Sequence, residues 1–496
     1  MSEVGRAMAR GAAWMVLMRL SVRALGLVSM VILARLLSPG DFGVVALALV
    51  FLAALEALSE FGFDLALIRI ADPDRTYYDT VWTLSLIKGA VVAAAMAALA
   101  VPAASLTGEP AVTSILLALA VLPLIEGLQN PGIVDFRREM RFDREFRFRM
   151  VERLAGFAVT LPLAVAWESY WALVAGMVAG RVAATVASYR MSPRRPRPDL
   201  SRAREILGFS RWIVASSGVH FLNQRMDDLV IGRLVGTAAL GAYSLGKDIG
   251  SMTTNELLMP ISRALYPGFA RIADDRDGLI ASYMDVLSLS LLLGVPTAIG
   301  IALTADLIVA IALTPDWAAV APIIAIFALA GAVQMVAANA HPVLLALGRP
   351  NMSFAFTAGT AAIGLPALVP VTLWYGAEGA AWSIMVRQAV LTILFLLAVR
   401  HLLRPAAGRY LAALWRPVLG NLAMAGAVFW LRRDLAAAAL PASVEALLAV
   451  TAGAVTYGVT VLLLWWAAGR PAGMEALLLS RLRGRLGLRR VPAAAP

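Results

Sequence analysis

The sequence predicts an all-α integral membrane protein: about fourteen transmembrane helices, drawn up as two six-helix lobes in parallel pseudo-repeat around a central cavity, with two additional helices at the C-terminal end. Three observations lead there. Of 496 residues, 60% are hydrophobic and 15% charged, against about 25% charged in an ordinary soluble domain. Apolar runs such as ALLAVTAGAVTYGVTVLLLWW, Ala446 to Trp466, exceed the ~20 residues that a helix rising about 1.5 Å per residue needs to cross the hydrocarbon core. Arginine, finally, is confined to alternate loops. A transmembrane barrel would show alternating segments of ~10 residues instead.

The first run, Gly11 to Leu37, follows a basic Met1–Arg10 segment as a secretory signal would. It is too long for a signal core and lacks a small-residue cleavage site, so it reads as the first span. Apolar patterning then places spans near 12–37, 43–68, 80–101, 111–133, 150–167, 170–188, 211–235, 238–260, 283–303, 317–346, 351–373, 377–399, 413–431 and 443–467. Turn-forming or polar stretches end them: SPGDF, PAASLTGEPAV, WESY, GTAA, TADLIVAIALTPDW and WYGAEG on one side, none carrying Lys or Arg. On the other side lie VDFRREMRFDREFRFR (Val134–Arg149), YRMSPRRPRPDLSRAREILGFSR (Tyr189–Arg211), RALYPGFARIADDRDG (Arg263–Gly278) and the tail SRLRGRLGLRR. By the positive-inside rule these arginine loops and both termini are cytoplasmic. Only Arg432 and Arg433 break the alternation.

The net charge of +11 therefore speaks for topology and contact with anionic lipids, not for nucleic acid. There is no cysteine, and His220, His341 and His401 are scattered, so no metal site or other cofactor is expected. The tail over Met474–Arg490 reads as a surface-lying amphipathic helix or as a solvated end.

An internal repeat organises the chain. ILARLLSPGDFGVVAL (Ile32–Leu47) overlies VIGRLVGTAALGAYSL (Val230–Leu245), matching Arg35 to Arg233, Leu36 to Leu234, Gly43 to Gly241 and Leu47 to Leu245; Trp14 meets Trp212 and Val16 meets Val214 at the same offset. Each block holds the first span, a tight turn and the second span of a six-helix half. An even number of spans per half gives both halves one orientation, with the symmetry axis along the membrane normal. The expected organisation is a first lobe at 1–190, a cytoplasmic linker at 191–210, a second lobe at 211–400, two further helices at 401–470 and a basic tail at 471–496.

Charges inside the spans are the functional signal, since each costs roughly 2.5–3.5 kcal/mol at the bilayer centre and must face protein or water. The stretch NQRMDDLVIGRLVG carries Arg225, Asp227, Asp228 and Arg233, and on the seventh span Ser216, Ser217, His220, Asn223, Gln224, Asp227 and Asp228 share one sector. Span one sets Arg19 and Arg23 four residues apart and span two sets Glu56, Glu60 and Asp64 at the same spacing, so each set forms a stripe on a single face. Arg19 with Glu60, and Arg23 with Glu56, fall at similar depths. Lys247 and Asp248 follow on span eight, with Lys88, Arg181, Gln334, Asn339, His341, Arg387 and Gln388 elsewhere. These groups line a hydrophilic pathway, or fix helix register as internal ion pairs. The cations suit an anionic head group, whose phosphate oxygens a guanidinium fork matches. The acids suit proton carriage.

At ARLLSPGDFGVVALA, LSEFGFDLALIR, FRREMRFDREF and NQRMDDLVIGRLVGTAALGAYSLGKDIG…LYPGFARI the chain resembles the polysaccharide transporters of the multidrug/oligosaccharidyl-lipid/polysaccharide (MOP) superfamily, in particular Wzx-type flippases of the colanic-acid-exporter-like branch. The likeness spans roughly residues 5–400. It implies alternating access in a bacterial inner membrane, carrying an undecaprenyl-diphosphate-linked oligosaccharide to the periplasmic leaflet, coupled to an H+ or Na+ gradient. The head group would meet Arg19, Arg23, Lys88, Arg225 and Lys247; Glu56, Glu60, Asp64, Asp227, Asp228 and Asp248 would serve ion coupling or cavity pairs. A polysaccharide polymerase and a chain-length regulator are the implied protein partners. A lipid II flippase and a cation-coupled multidrug exporter share the architecture. A membrane glycosyltransferase, polymerase or ligase is disfavoured by the short outer loops and by the lack of an outward carboxylate pair, a DxD-like motif or a Gly-Lys phosphate loop.

Overall fold

The computed structural model describes residues 3–70, 72–252, 254, 265, 268–435 and 440–471. Among them there are helices and no strand. Among the described residues nine helices are long and apolar enough to cross a membrane, and a pair bent by 70°, Ala111–Gly127 with Pro131–Arg138, makes a tenth if it is one span. By packing, the chain divides into two compact units, Met1–Ser244 and Leu245–Pro496.

The first unit opens with α1 (Glu3–Leu36) and α2 (Pro39–Leu58). Ser38 caps α2: its hydroxyl accepts the Asp41 N–H at 3.2 Å while the Asp41 carboxylate accepts the Ser38 N–H at 3.1 Å. The span that the sequence predicts to residue 68 is present as one candidate span, Pro39–Arg69, but its helix is interrupted after Leu58. Gly62, at φ 63°, turns the chain into a separate short helix α3 (Phe63–Arg69). The unit continues through α4 (Arg75–Thr107), α5 (Ala111–Leu119), α6 (Val121–Gly127), a 3-10 turn at Pro131–Val134, α7 (Asp135–Arg138), α8 (Phe142–Trp167) and α9 (Trp171–Met191). The basic FDREFRFR, expected in a loop, forms the first turns of α8. Helix α10 (Ala203–Leu234) starts several residues before the expected 211. The unit boundary falls inside α11 (Thr237–Gly250).

The arginine-rich segments of this unit are woven into it. Asp135 accepts the Tyr78 hydroxyl and the Arg194 Nε at 3.0 Å, and the Arg194 guanidinium lies 3.7 Å over the Tyr78 ring. Buried Asn130 donates to the Arg194 carbonyl at 2.8 Å. Residues 192–202, part of the linker expected at 191–210, are strapped to α4: the Arg197 N–H meets Asp79 at 3.0 Å and the Asp199 N–H meets the Thr83 hydroxyl at 2.9 Å. The Asp199 carboxyl is held below its ordinary pKa by the backbone N–H and hydroxyl of Ser201.

The second unit runs through α12 (Arg276–Leu289), a π-turn at Ser290–Gly294, α13 (Val295–Leu303), α14 (Ala305–Ala312), α15 (Val320–Val336), α16 (Ala340–Ala346), a helical stretch α17 (Pro350–Leu403), α18 (Ala407–Leu435) and α19 (Ala442–Ala467). The stretch TADLIVAIALTPDW, expected as a loop, contains α14. Gly376, at φ 61° and ψ −148°, interrupts α17, and Arg387 packs on Gly364. The chain therefore doubles back at WYGAEG, where the sequence separates two spans.

Arg432, the exception to the charge alternation, lies between two acids. Its guanidinium donates to Asp306 at 3.0 Å, to Glu445 at 2.8 Å and to the Leu303 carbonyl at 2.9 Å. That arrangement fastens the final hairpin to the α13–α14 corner. Arg432→Ala is expected to weaken the unit by about 1–2 kcal/mol, since the fork holds two carboxylates while remaining partly solvated. The check is the thermal transition in detergent, which should fall by a few degrees while Arg433→Ala leaves it in place.

Candidate functional site

Five helices of the first unit each bring one charged side chain to a common region. Glu56 stands on α2, Lys88 on α4, Glu126 on α6, Glu152 on α8 and Arg181 on α9. The Arg181 guanidinium is the hub, with Glu126 and Glu152 each at 3.4 Å. Arg149 reaches Glu152 at 3.5 Å. The charges acting on Glu56 are Glu126, Arg181 and Lys88, then Glu60.

Close helix approach explains why these groups meet. A Cβ on Gly180 would stand 2.9 Å from the Glu152 carbonyl, so α8 and α9 touch through their backbones beside Arg181. A Cβ on Gly89 would stand 2.2 Å from the Pro123 carbonyl, and one on Gly127 2.7 Å from that of Ser85. Those contacts seat Lys88 and Glu126 on facing helices. In the sequence each charge adjoins its glycine, as Lys88-Gly89, Glu126-Gly127 and Gly180-Arg181.

The side chains of Arg181, Glu126 and Glu152 remain 31%, 37% and 21% exposed. A half-open group of three carboxylates and three cations can exchange an internal ion pair for one with a ligand's phosphate or hydroxyls without burying an unpaired charge.

The other expected site residues distribute as follows. Glu60 accepts the Gly62 N–H at 3.3 Å, and Asp64 lies 3.9 Å from Arg137. The anticipated continuous stripe of Glu56, Glu60 and Asp64 is thus broken by the turn at Ser59–Gly62, because a left-handed glycine ends helical periodicity. Arg181 and Lys88 are among the charges that act on Glu56. Arg23 is half-buried on α1, while the Arg19 side chain lies outside the described residues.

On α10, Asp227 and Asp228 are 5% and 2% exposed. Asp227 accepts the Tyr243 hydroxyl at 2.6 Å, and Asp228 pairs with Arg225 at 3.2 Å. These two carboxylates sit in the protein interior, whereas Arg225, Gln224 and His220 on the same helix are exposed. The expected polar sector is thereby divided between a helix tie and an open face. Lys247 is half-buried and Asp248 exposed, both in the second unit. Glu126 and Glu152 were not singled out in the sequence; their adjacency to glycine, or to basic residues at a helix start, was the available signal.

The profile of the polysaccharide biosynthesis protein family matches residues 32–322, more than half of the chain. The chain belongs to this family. Its relatives include the lipopolysaccharide biosynthesis protein WzxC of Escherichia coli (strain K12), 26% identical over 82% of this chain and 84% of its own. The succinoglycan biosynthesis transport protein ExoT of Rhizobium meliloti (strain 1021) is 26% identical over 98% and 97%. In fold, the chain is similar to the lipid II flippase MurJ in an inward closed conformation, with a TM-score of 0.75 at 12% identity, over 92% of this chain and 99% of that one. The polysaccharide biosynthesis family match takes in the whole Glu56–Arg181 group together with Asp227, Asp228, Lys247 and Asp248, while Arg19 and Arg23 precede it.

Proposed function

We propose that this chain is a flippase that carries an undecaprenyl-diphosphate-linked oligosaccharide repeat unit from the cytoplasmic to the periplasmic leaflet, supplying exopolysaccharide, capsule or O-antigen synthesis. The observation that carries the reading is the half-exposed charge group of Glu56, Lys88, Glu126, Glu152 and Arg181, set on apolar helices of a polysaccharide biosynthesis family member. Charges in such helices are retained where a polar cargo passes. Lys88 and Arg181 would take phosphate oxygens and the carboxylates sugar hydroxyls, while the lipid tail stays in the bilayer. Arg23, Arg225 and Lys247 extend the basic path, and Arg19 belongs to it by sequence. An H+ or Na+ gradient drives turnover, by alternating access. Both termini and the arginine-rich loops are cytoplasmic, in a bacterial inner membrane, next to a polymerase and a chain-length regulator that receive the product.

The MurJ likeness is one of fold, and does not by itself select lipid II as cargo; the relatives named for lipopolysaccharide and succinoglycan favour a polysaccharide repeat unit. The test is depletion of the protein in a strain without a redundant carrier. Lipid-linked repeat units should accumulate on the inner leaflet, scored by protection from a periplasmic glycan-binding probe. Arg23→Ala and Arg225→Ala should each abolish complementation while membrane levels stay normal. Undiminished outward delivery in the depleted strain refutes the carrier reading.

A further inference from the structure

The two copies of the internal repeat touch each other at equivalent atoms. Gly43 and Gly241 are related by the repeat offset of 198 residues, as are Pro39 and Thr237. A Cβ on Gly43 would stand 1.7 Å from the Thr237 carbonyl oxygen and 3.0 Å from the Gly241 nitrogen. A Cβ on Gly241 would stand 1.8 Å from the Pro39 carbonyl oxygen and 3.0 Å from the Gly43 nitrogen. The contact is therefore reciprocal, as at a two-fold interface, where residue i meets j and j meets i. All four residues lie within the first unit.

Only glycine permits such an approach, because any side chain would drive its first carbon into a peptide carbonyl. Both turns are built for it. The Ser38–Asp41 capping box fixes the entry to α2, and Gly236, at φ 112°, fixes the entry to α11. One helical turn below the glycine layer, Leu47 is fully buried and lies against Gly232, where a Cβ would stand 2.6 Å from the Leu47 Cδ1. Backbone and leucine thus form two successive layers at one end of α2. It is the end opposite Leu58, from which the chain leads to Asp64 on α3 and its partner Arg137 on α7, in the arginine-rich segment that the charge pattern assigns to the cytoplasmic side.

We propose that this reciprocal glycine contact is the gate on the release side, closed in this structure and parted when the repeat copies separate to discharge the head group. The inference rests on the carrier reading for its biological meaning; the gate itself rests on the contact. A seal made of peptide backbone has no side chain to rotate aside, so it opens only by displacement of whole helices.

The chain contains no cysteine, so a single Leu47→Cys reporter can be followed with a membrane-impermeant maleimide added to the periplasmic face. Labelling should be slow with both glycines present and at least tenfold faster in Gly43→Ala and in Gly241→Ala, by similar factors because the contact is reciprocal. Gly40→Ala, in the same turn but with only the Ser38 hydroxyl at 3.6 Å, should leave the rate unchanged. Equal labelling with and without the gate substitutions overturns the proposal. Should those variants not reach the membrane, the reporter alone decides. Its labelling should rise when cells supply lipid-linked glycan and fall when the first sugar transfer is blocked, and an unchanging rate overturns the gate. If labelling responds but depleted cells still deliver glycan outward, the carrier reading fails and the gate stands.

Discussion

Arg181→Ala is expected to abolish polysaccharide export and also to lower the stability of the first unit, and the two losses should separate. Arg181 holds Glu126 and Glu152 at 3.4 Å each and is among the charges acting on Glu56. Without it, three carboxylates face each other with Lys88 and Arg149 as counter-charges. Removing one partner of a fully buried pair costs about 3–5 kcal/mol, but these groups are partly solvated, so about 1–3 kcal/mol is expected here. That loss should appear as a lower thermal transition and a smaller membrane pool. Adding Glu126→Gln removes one of the uncompensated charges and should recover most of the stability. Export should not return, because the guanidinium that would meet phosphate is still missing. Arg181→Lys keeps the charge and loses the fork, so it should fold normally and export at a small fraction of the native rate. Full export from Arg181→Ala at native membrane levels would make the group a packing device and remove it from the carrier path.

How much of this was legible in the sequence depends on which force sets each feature. The membrane class, the separation of two spans at Gly376 and the repeat follow from hydrophobic runs, turn residues and a fixed offset, all of which are local. The Glu56–Glu60–Asp64 stripe failed because periodicity assumes an unbroken helix, and nothing in apolar content announces that Gly62 will adopt a left-handed conformation. Depth did not point to Arg181 or Lys88 as charges near Glu56, because depth is one coordinate, whereas neighbours are chosen by which helices lie side by side. That choice is made at Gly89, Gly127 and Gly180, where backbones approach more closely than any side chain allows. Asp227 and Asp228 were legible as charges that cannot face lipid. That they belong to the interior follows only once Tyr243 is known to reach Asp227.

Gly176→Ala should be more damaging than its size suggests, and repairable from the facing helix. A Cβ at position 176 would lie 1.6 Å from the Thr160 hydroxyl oxygen, 2.9 Å from the Thr160 Cβ and 3.0 Å from the Gly156 carbonyl. Thr160 is buried and β-branched, so its hydroxyl has little freedom to swing away. Helices α8 and α9 must therefore part, at about 1–3 kcal/mol for an overpacked interior. Parting them also pulls Arg181 from Glu152, because both lie within two turns of this contact and Gly180 meets the Glu152 carbonyl. Export should fall together with stability, although position 176 carries no charge. Thr160→Ala alone leaves a small void and should cost little, while Gly176→Ala with Thr160→Ala removes the 1.6 Å clash with the hydroxyl and leaves two Cβ atoms 2.9 Å apart, which a smaller separation of the helices relieves. The double variant should regain part of the thermal transition and part of the export, giving a coupling free energy of about 1 kcal/mol. Additive losses instead would mean that α8 and α9 are held apart from each other in the working protein, and that the Arg181 group is assembled by some other contact.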